Sequence, residues 1–329
     1  MSTRRQALES LQKTTTTNSG LWLDKFIYDQ RKDPDPSRGN KTSRQILVEE
    51  ASGINASADY THWFERWRQM LQNYGAECRQ AEAEGRVAIG LGRESVLETS
   101  VALHYTYGVP YIPGSALKGL AASFAREYLG SDWQENTAAY ITVFGNTQTA
   151  GYVTFFDALP LLNSVSLQKD VITVHHQKYY QNEPNVPPAD WDDPNPVPFI
   201  SSTGKFLIAL SGPSYWVRAT FDILDHALVH IGIGAKTSSG YGRLKLESTP
   251  LLDPDQAKAD QLIAGVRALR LSDVAGRIHA FYELWHRLEV NPAQKRRVAE
   301  SILAKVKEAE REKQSRDKDW YKELLASIR

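Results

Sequence analysis

The chain has 329 residues, 41% of them hydrophobic, enough for one large packed domain with additions or for two domains. Its 39 Lys and Arg balance its 39 Asp and Glu, so no global field draws it to nucleic acid and any basic surface must be local. Cys78 is the single cysteine, which excludes an internal disulfide or a cysteine-built zinc site and fits a reducing, cytoplasmic setting; neither a signal segment nor an apolar run of about 18 residues points to a membrane.

Residues 1–60 are mostly polar, with an apolar anchor at 21–28. The spacing of Trp63, Trp67, Met70, Leu71 and Tyr74 predicts a helix over 59–84, stopped by Gly85. Residues 1–85 are therefore read as an N-terminal addition and 86–250 as a core. Val87, Ile89 and Leu91 alternate with small residues as in a strand, and Val101–Tyr107 is a second extended run. After the Pro113-Gly114 turn, Ser115 is expected to N-cap a helix with the apolar stripe Leu117, Leu120, Ala121, Phe124 and Tyr128. Lys118 then falls near the third helical position, where the helix dipole opposes a cation by roughly 0.3–1 kcal/mol. A phosphate between Lys118 and the free N–H groups would reverse that sign.

Residues 151–158 read as a strand, with Asp157 as a turn or cap residue at its end. Residues 163–204 form a long insertion, expected to be irregular apart from a β-like run at 171–174. It carries His175-His176-Gln177-Lys178-Tyr179-Tyr180 and then prolines from Pro184 to Pro198. Strands are expected at 206–210 and 215–221, joined by a hairpin turn at Ser211-Gly212-Pro213-Ser214. A helix opening at Asp222 or Asp225 should lead into a glycine-rich loop and a short strand at 244–246. The order strand, helix, strand, strand, helix, strand makes the fold class α+β, with a ferredoxin-like or RRM-type core. Residues 251–329 show helical periodicity with mixed charge, a C-terminal helical extension that caps its own domain or docks a partner.

The loop holds Gly232, Gly234, Lys236, Thr237, Ser238, Ser239, Gly240, Tyr241, Gly242 and Arg243. Successive free N–H groups in such a loop make an anion-binding concavity, and Lys236 and Arg243 add charge. It is not a nucleotide-binding loop of the Gly-x4-Gly-Lys-Ser/Thr type: Ala235 precedes Lys236, and the segment leaves a helix rather than entering one. His175, Lys178 and Tyr179 are types that hold phosphates and stack bases. The same side chains with Lys236 also admit a metal-independent ribonuclease with a His or Tyr base. Adjacent His175 and His176 on a strand would face opposite ways, so no metal site is expected, and no cofactor.

Two motifs then resemble a known family. Ile112-Pro113-Gly114-Ser115-Ala116-Leu117-Lys118-Gly119 is similar to the I-P-G-S-S-L-K-G helix start of the RAMP superfamily of CRISPR effector complexes. Gly232 to Leu244 resembles that superfamily's terminal glycine-rich loop. Asn18–Lys25, Gly151–Ala158 and Asp170–Tyr180 further resemble the sixth-subunit family of the type III-B (Cmr) complex, so the likeness covers about 18–248. The resemblance implies a non-catalytic subunit that binds guide RNA near its 3′ part. Its neighbours would be other Cmr/RAMP subunits, with target RNA a further candidate partner and target cleavage left to the repeating backbone subunit. It carries over Lys118 and the 232–243 loop as RNA-facing; His175, Lys178 and Tyr179 are added by extrapolation. The alternatives are a repeat-RNA endonuclease of the same superfamily and a purely protein–protein cap.

Overall fold

A computed structural model describes residue 8 and residues 11–30, 34–181, 186–192, 194–248 and 254–328, without the side chains of 177, 178, 254 and 257. It contains two compact units, Met1–Tyr74 with Cys78–Pro250, and Gly75–Glu77 with Leu251–Arg329.

Helix α1 (Ser19–Lys25) starts at Asn18, whose side-chain oxygen accepts from the Leu21 N–H. Helix α2 (Ser43–Ser52) starts in a reciprocal cap, with Thr42 accepting from the Gln45 N–H and Gln45 from the Thr42 N–H. Helix α3 (Ala58–Asn73) buries Tyr60, Phe64 and Leu71, and the Tyr60 hydroxyl donates to the Pro160 carbonyl. The helix expected to run to residue 84 ends here. Gly75 takes φ +65°, and strand β1 (Glu77–Ala83) follows. Gln80, Ala81, Glu82 and Ala83 are helix formers by type, so tertiary pairing has overridden their propensity.

The rest of the first unit runs α4 (Gly114–Tyr128), α5 (Ala138–Phe144), β2 (Thr154–Phe155), β3 (Leu159–Pro160), β4 (Ser166–Val174), α6 (Gln177–Tyr180), β5 (Asn195–Thr203), β6 (Lys205–Ser211), α7 (Ser214–His230) and β7 (Leu244–Leu246). The main sheet has the order β2-β6-β1-β7, with β3 also paired to β6. β7 lies antiparallel to β1 (Ala81↔Leu246), and β2 antiparallel to β6 (Thr154↔Ser211). Phe206, Ile208 and Leu210 of β6 join Leu117, Ala121, Phe221 and Leu224 in the largest apolar cluster. Each of the Leu, Ile and Phe side chains contributes about 1.5–3 kcal/mol by leaving water.

Four further expectations are corrected. Residues 215–221 are not a strand but the first half of α7, and Gly212-Pro213 is a strand-to-helix turn. Val217, Phe221, Leu224 and Leu228 recur at helical spacing and are all buried, a period masked by the β-prone run Tyr215-Trp216-Val217. The helix therefore opens at Ser214 and not at Asp222 or Asp225. Residues 86–92 and 101–107 are connecting segments with single bridges, Val87↔Ser202 and Leu103↔Pro110. The insertion is mostly a regular antiparallel ribbon, β4 against β5, from Ser166↔Thr203 to Val174↔Asn195. Its base is anchored where Leu167 and Ile200 join Trp22, Leu23, Leu47 and Val48. Pro184 and the Lys178 side chain lie outside the described residues.

The second unit consists of α8 (Pro254–Ala268), α9 (Val274–His286), α10 (Pro292–Glu308), α11 (Glu312–Ser315) and α12 (Asp319–Ser327). Val266, Ile278, Trp285, Val298, Ile302 and Leu324 give it a core of its own. Among the described residues, no helix is long and apolar enough to cross a membrane.

The cap of α4 also differs in its residue. Ser115 is the second residue of the helix and exposed. Asp157 reaches across from beyond β2, its Oδ1 accepting from the Gly114 N–H at 2.7 Å. Asp157→Ala should therefore cost about 1 kcal/mol in urea denaturation, and Ser115→Ala no more than about 0.5 kcal/mol. The reverse ranking would overturn the assignment.

Candidate nucleic-acid interface

Helix α7 delivers the chain into the glycine loop at Gly232, and β7 takes it away after Arg243. Between them the backbone is stitched to the 86–89 segment. The Ala235 N–H donates to the Ala88 carbonyl and the Gly242 N–H to the Arg86 carbonyl, both at 2.8 Å. The Ile233 N–H donates to the Gly242 carbonyl, closing the loop at its neck. Gly242 has φ +72°, and a Cβ there would stand 2.0 Å from the Ile233 oxygen. At Gly234 a Cβ would stand 2.4 Å from the Ala88 oxygen. Only glycine fits either place.

Lys236 takes the left-handed conformation, φ +61°, ahead of a single 3-10 turn at Thr237–Ser239. Among the described residues, the N–H groups of Gly234, Lys236, Thr237 and Ser238 donate to no other backbone group. Lys236 makes no ion pair among the described residues; its Nζ stands 5.8 Å from the Tyr241 ring centroid. Ser238, Ser239 and Gly240 are exposed. The loop thus presents unshared donors and one unpaired cation. Arg243 also has a part within the loop itself. Its guanidinium donates to the Val229 carbonyl at 3.1 Å and to the Thr237 carbonyl at 3.5 Å, which holds the loop's shape.

Tyr241 also turns inward. Its hydroxyl donates to Asp170 Oδ2 at 2.5 Å, and the same oxygen accepts from Arg86 Nη1 at 2.9 Å. Burial works against the Asp170 charge, but the Tyr241 hydroxyl, the Val171 N–H and Arg86 together hold its carboxyl below the usual range. Burial and then the Asp170 hydrogen bond push the Tyr241 phenol up to about 12. Ribbon strand β4 and the glycine loop are joined at this point. Neither Asp170 nor Arg86 was singled out from sequence, because the partners lie about 70–155 positions away and leave no local pattern.

Lys118 is the fifth residue of α4, two positions later than expected. The dipole term falls off by that turn, so it gives the lysine no special penalty. Asp157 takes the Gly114 N–H, and Ala116 and Leu117 donate to Pro113. Among the described residues, the Ser115 N–H is left free, on the same helical face as Lys118, which makes no ion pair. A chain of backbone hydrogen bonds leads from the loop to this helix start: Ala235 to Ala88, Ala102 to Ile89, Tyr111 to Ala102.

The third expected group is carried on the ribbon's far end. His175 is exposed, and Tyr179 and Tyr180 are 50% and 68% exposed with their rings packed edge-on at 5.7 Å. His176 is held by Asp192 at 2.9 Å. Trp191, 86% exposed, was missed in the proline-rich stretch, where an isolated tryptophan among polar residues was the available signal. Among the described residues no three His, Cys, Asp or Glu side chains converge as a metal site would require.

The Asp170 carboxylate gives a pH test. The unfolded group titrates near about pH 3.9, and the folded one lower. Its stabilisation is present above the unfolded value and is lost as pH falls through the folded value. Wild-type protein should exceed Asp170→Asn in urea midpoint at about pH 7, and the gap should narrow at about pH 3. An equal gap at both would show that the charge contributes nothing.

Comparison with known proteins fits this geometry. Residues 80–245 match the family model of the RAMP superfamily. The chain is 31% identical to CRISPR system Cmr subunit Cmr6 of Pyrococcus furiosus, over 56% of this chain and 72% of that protein. It is 27% identical to the Cmr6 subunit of Saccharolobus solfataricus, over 50% of this chain and 55% of that one. A chain in a type III-B Cmr-β complex bound to cognate target RNA has a similar fold, with TM-score 0.50 and 21% identity over 65% of this chain and 76% of that one. The motif at 112–119, the glycine loop at 232–243 and the matched span around them lead to one conclusion: the chain belongs to the RAMP superfamily, as a Cmr6-like member.

Proposed function

We propose that the chain is a non-catalytic, RNA-binding subunit of a type III-B CRISPR effector complex. The observation that carries this reading is the glycine loop, where unshared N–H groups and the unpaired Lys236 face outward from a backbone that cannot give way. Its occupant is the guide RNA, with the Ser115–Lys118 face of α4 as a second phosphate contact. The strand order β2-β6-β1-β7, with helices between β1 and β2 and between β6 and β7, supports a ferredoxin-like, RRM-type core. The first boundary is best drawn before β1 rather than at residue 85, leaving 251–329 as a helical extension. The ribbon end, with His175, Lys178, Tyr179, Tyr180 and Trp191, suits stacking on bases of guide or target RNA. Neighbouring Cmr subunits complete the partners.

In the assembled complex, Lys118→Ala with Lys236→Ala should weaken guide retention in mobility shifts. It should also flatten the dependence of log K on log salt by about one unit for each phosphate that is no longer neutralised. Unchanged affinity and slope would overturn the reading. Arg243→Ala is a poor probe, since it also removes the loop's own carbonyl staples. Labelled repeat RNA incubated with the purified chain in EDTA should stay intact. Cleavage that Asp170→Asn spares and His175→Ala abolishes would make the protein an endonuclease instead.

A further inference from the structure

A groove of about 580 Å³ opens beside the glycine loop, between α2, the base of the ribbon and Tyr241. Part of its lining is apolar: Val48, Val171 and Pro198. Val171 and Pro198 are cross-strand partners, and Val171 is 48% exposed although it belongs to no described core cluster. Lys41, Arg86 and Lys169 stand around this surface, against the carboxylates of Glu49 and Asp170. Glu49 accepts from Lys41 at 2.5 Å and from Lys169 at 3.1 Å, and those two bonds hold its carboxyl below the usual range. Lys41 and Lys169 thus pair with Glu49 and Arg86 with Asp170, and the lining keeps an excess of one positive charge. Asn40, itself in the left-handed conformation at φ +58°, adds an amide that bonds to no described residue.

Tyr241 belongs to both features. Its ring lines the groove, its hydroxyl is pinned to Asp170, and the Lys236 ammonium stands over its ring. An apolar surface, a fixed aromatic ring, a free amide and a slight positive excess match a flat heterocycle attached to a phosphate. We propose that this groove takes one nucleobase, turned out of the RNA strand whose backbone lies on the glycine loop. The inference rests on the RNA-binding reading above and adds a base-binding subsite to it. The stacking surface is Tyr241 with Val171 and Pro198, and Asn40 meets the base edge. Because an amide can donate and accept, the subsite tolerates more than one base.

The test uses the full-length chain with two probes, a decauridylate RNA and a sugar–phosphate strand of equal length without bases. Val171→Trp fills the groove from an exposed strand position. It should weaken decauridylate binding about tenfold and leave the abasic strand unchanged. Val171→Ala, which keeps the ribbon unburdened, should move the same affinity in the same direction by a smaller factor. Lys236→Ala should weaken both probes alike. If both Val171 variants leave decauridylate binding untouched while Lys236→Ala still weakens it, the subsite is wrong and the loop's grip stands. If Lys236→Ala changes neither probe, the RNA-binding reading itself has failed. Equal losses on both probes from the Val171 variants, with unchanged circular dichroism, would also overturn the base-binding assignment.

Discussion

The stitching of the glycine loop to residues 86–89 is the constraint on which the rest of this unit depends. Two main-chain bonds, Ala235 to Ala88 and Gly242 to Arg86, require backbones to approach so closely that no side chain fits between them. That closeness commits most of the loop's neck to internal bonds and leaves a small outward set of donors unused. The same junction turns the 86–89 segment into a hub. Ile89 receives the Ala102 N–H, Val87 exchanges bonds with Ser202 at the ribbon base, and Arg86 meets Asp170. Loop, ribbon and the start of α4 are therefore joined through one short stretch of backbone rather than through side-chain packing alone.

The division of labour inside the loop follows from charge satisfaction. Arg243 is spent on two carbonyls and Tyr241 on a carboxylate, whereas Lys236 has only an aromatic face beside it. A partly exposed ammonium without an anion stays hydrated at little cost, so Lys236 is left available to meet a phosphate. Asp170 has the opposite role. Its charge is stabilised by three donors and directs nothing outward.

Much of this was legible in the residues. The glycine spacing marked the loop, and the apolar stripe of Leu117, Leu120 and Phe124 marked α4; Asp157 was read only as a turn or cap residue at the end of its strand. What was not legible shares a cause. β1 is built from Gln, Ala and Glu and exists because β6 and β7 flank it, information that lies over 120 residues away. The start of α7 carries Tyr, Trp and Val, so residue type argued for a strand while spacing argued for a helix. Ser115 looked like a cap from its place after Pro-Gly, but the acceptor that caps α4 comes from Asp157. That Tyr241 and Arg243 bond within the protein while Lys236 meets only a ring depends on Asp170 and Val229, whose proximity no local pattern announces.

The ribbon has one more property. The Ser202 N–H donates to Val87, so it points away from β4. Direction alternates along a strand, so positions 196, 198 and 200 of β5 face the same outer side. Two of those three are Pro196 and Pro198, which have no N–H to offer. A two-stranded ribbon projecting from a domain is an open invitation to strand addition and aggregation. Here the inner end of that edge is closed by Val87 and the outer end is chemically blunt. On its β5 side the arm keeps a long regular ladder with β4 and offers an incoming strand few donors.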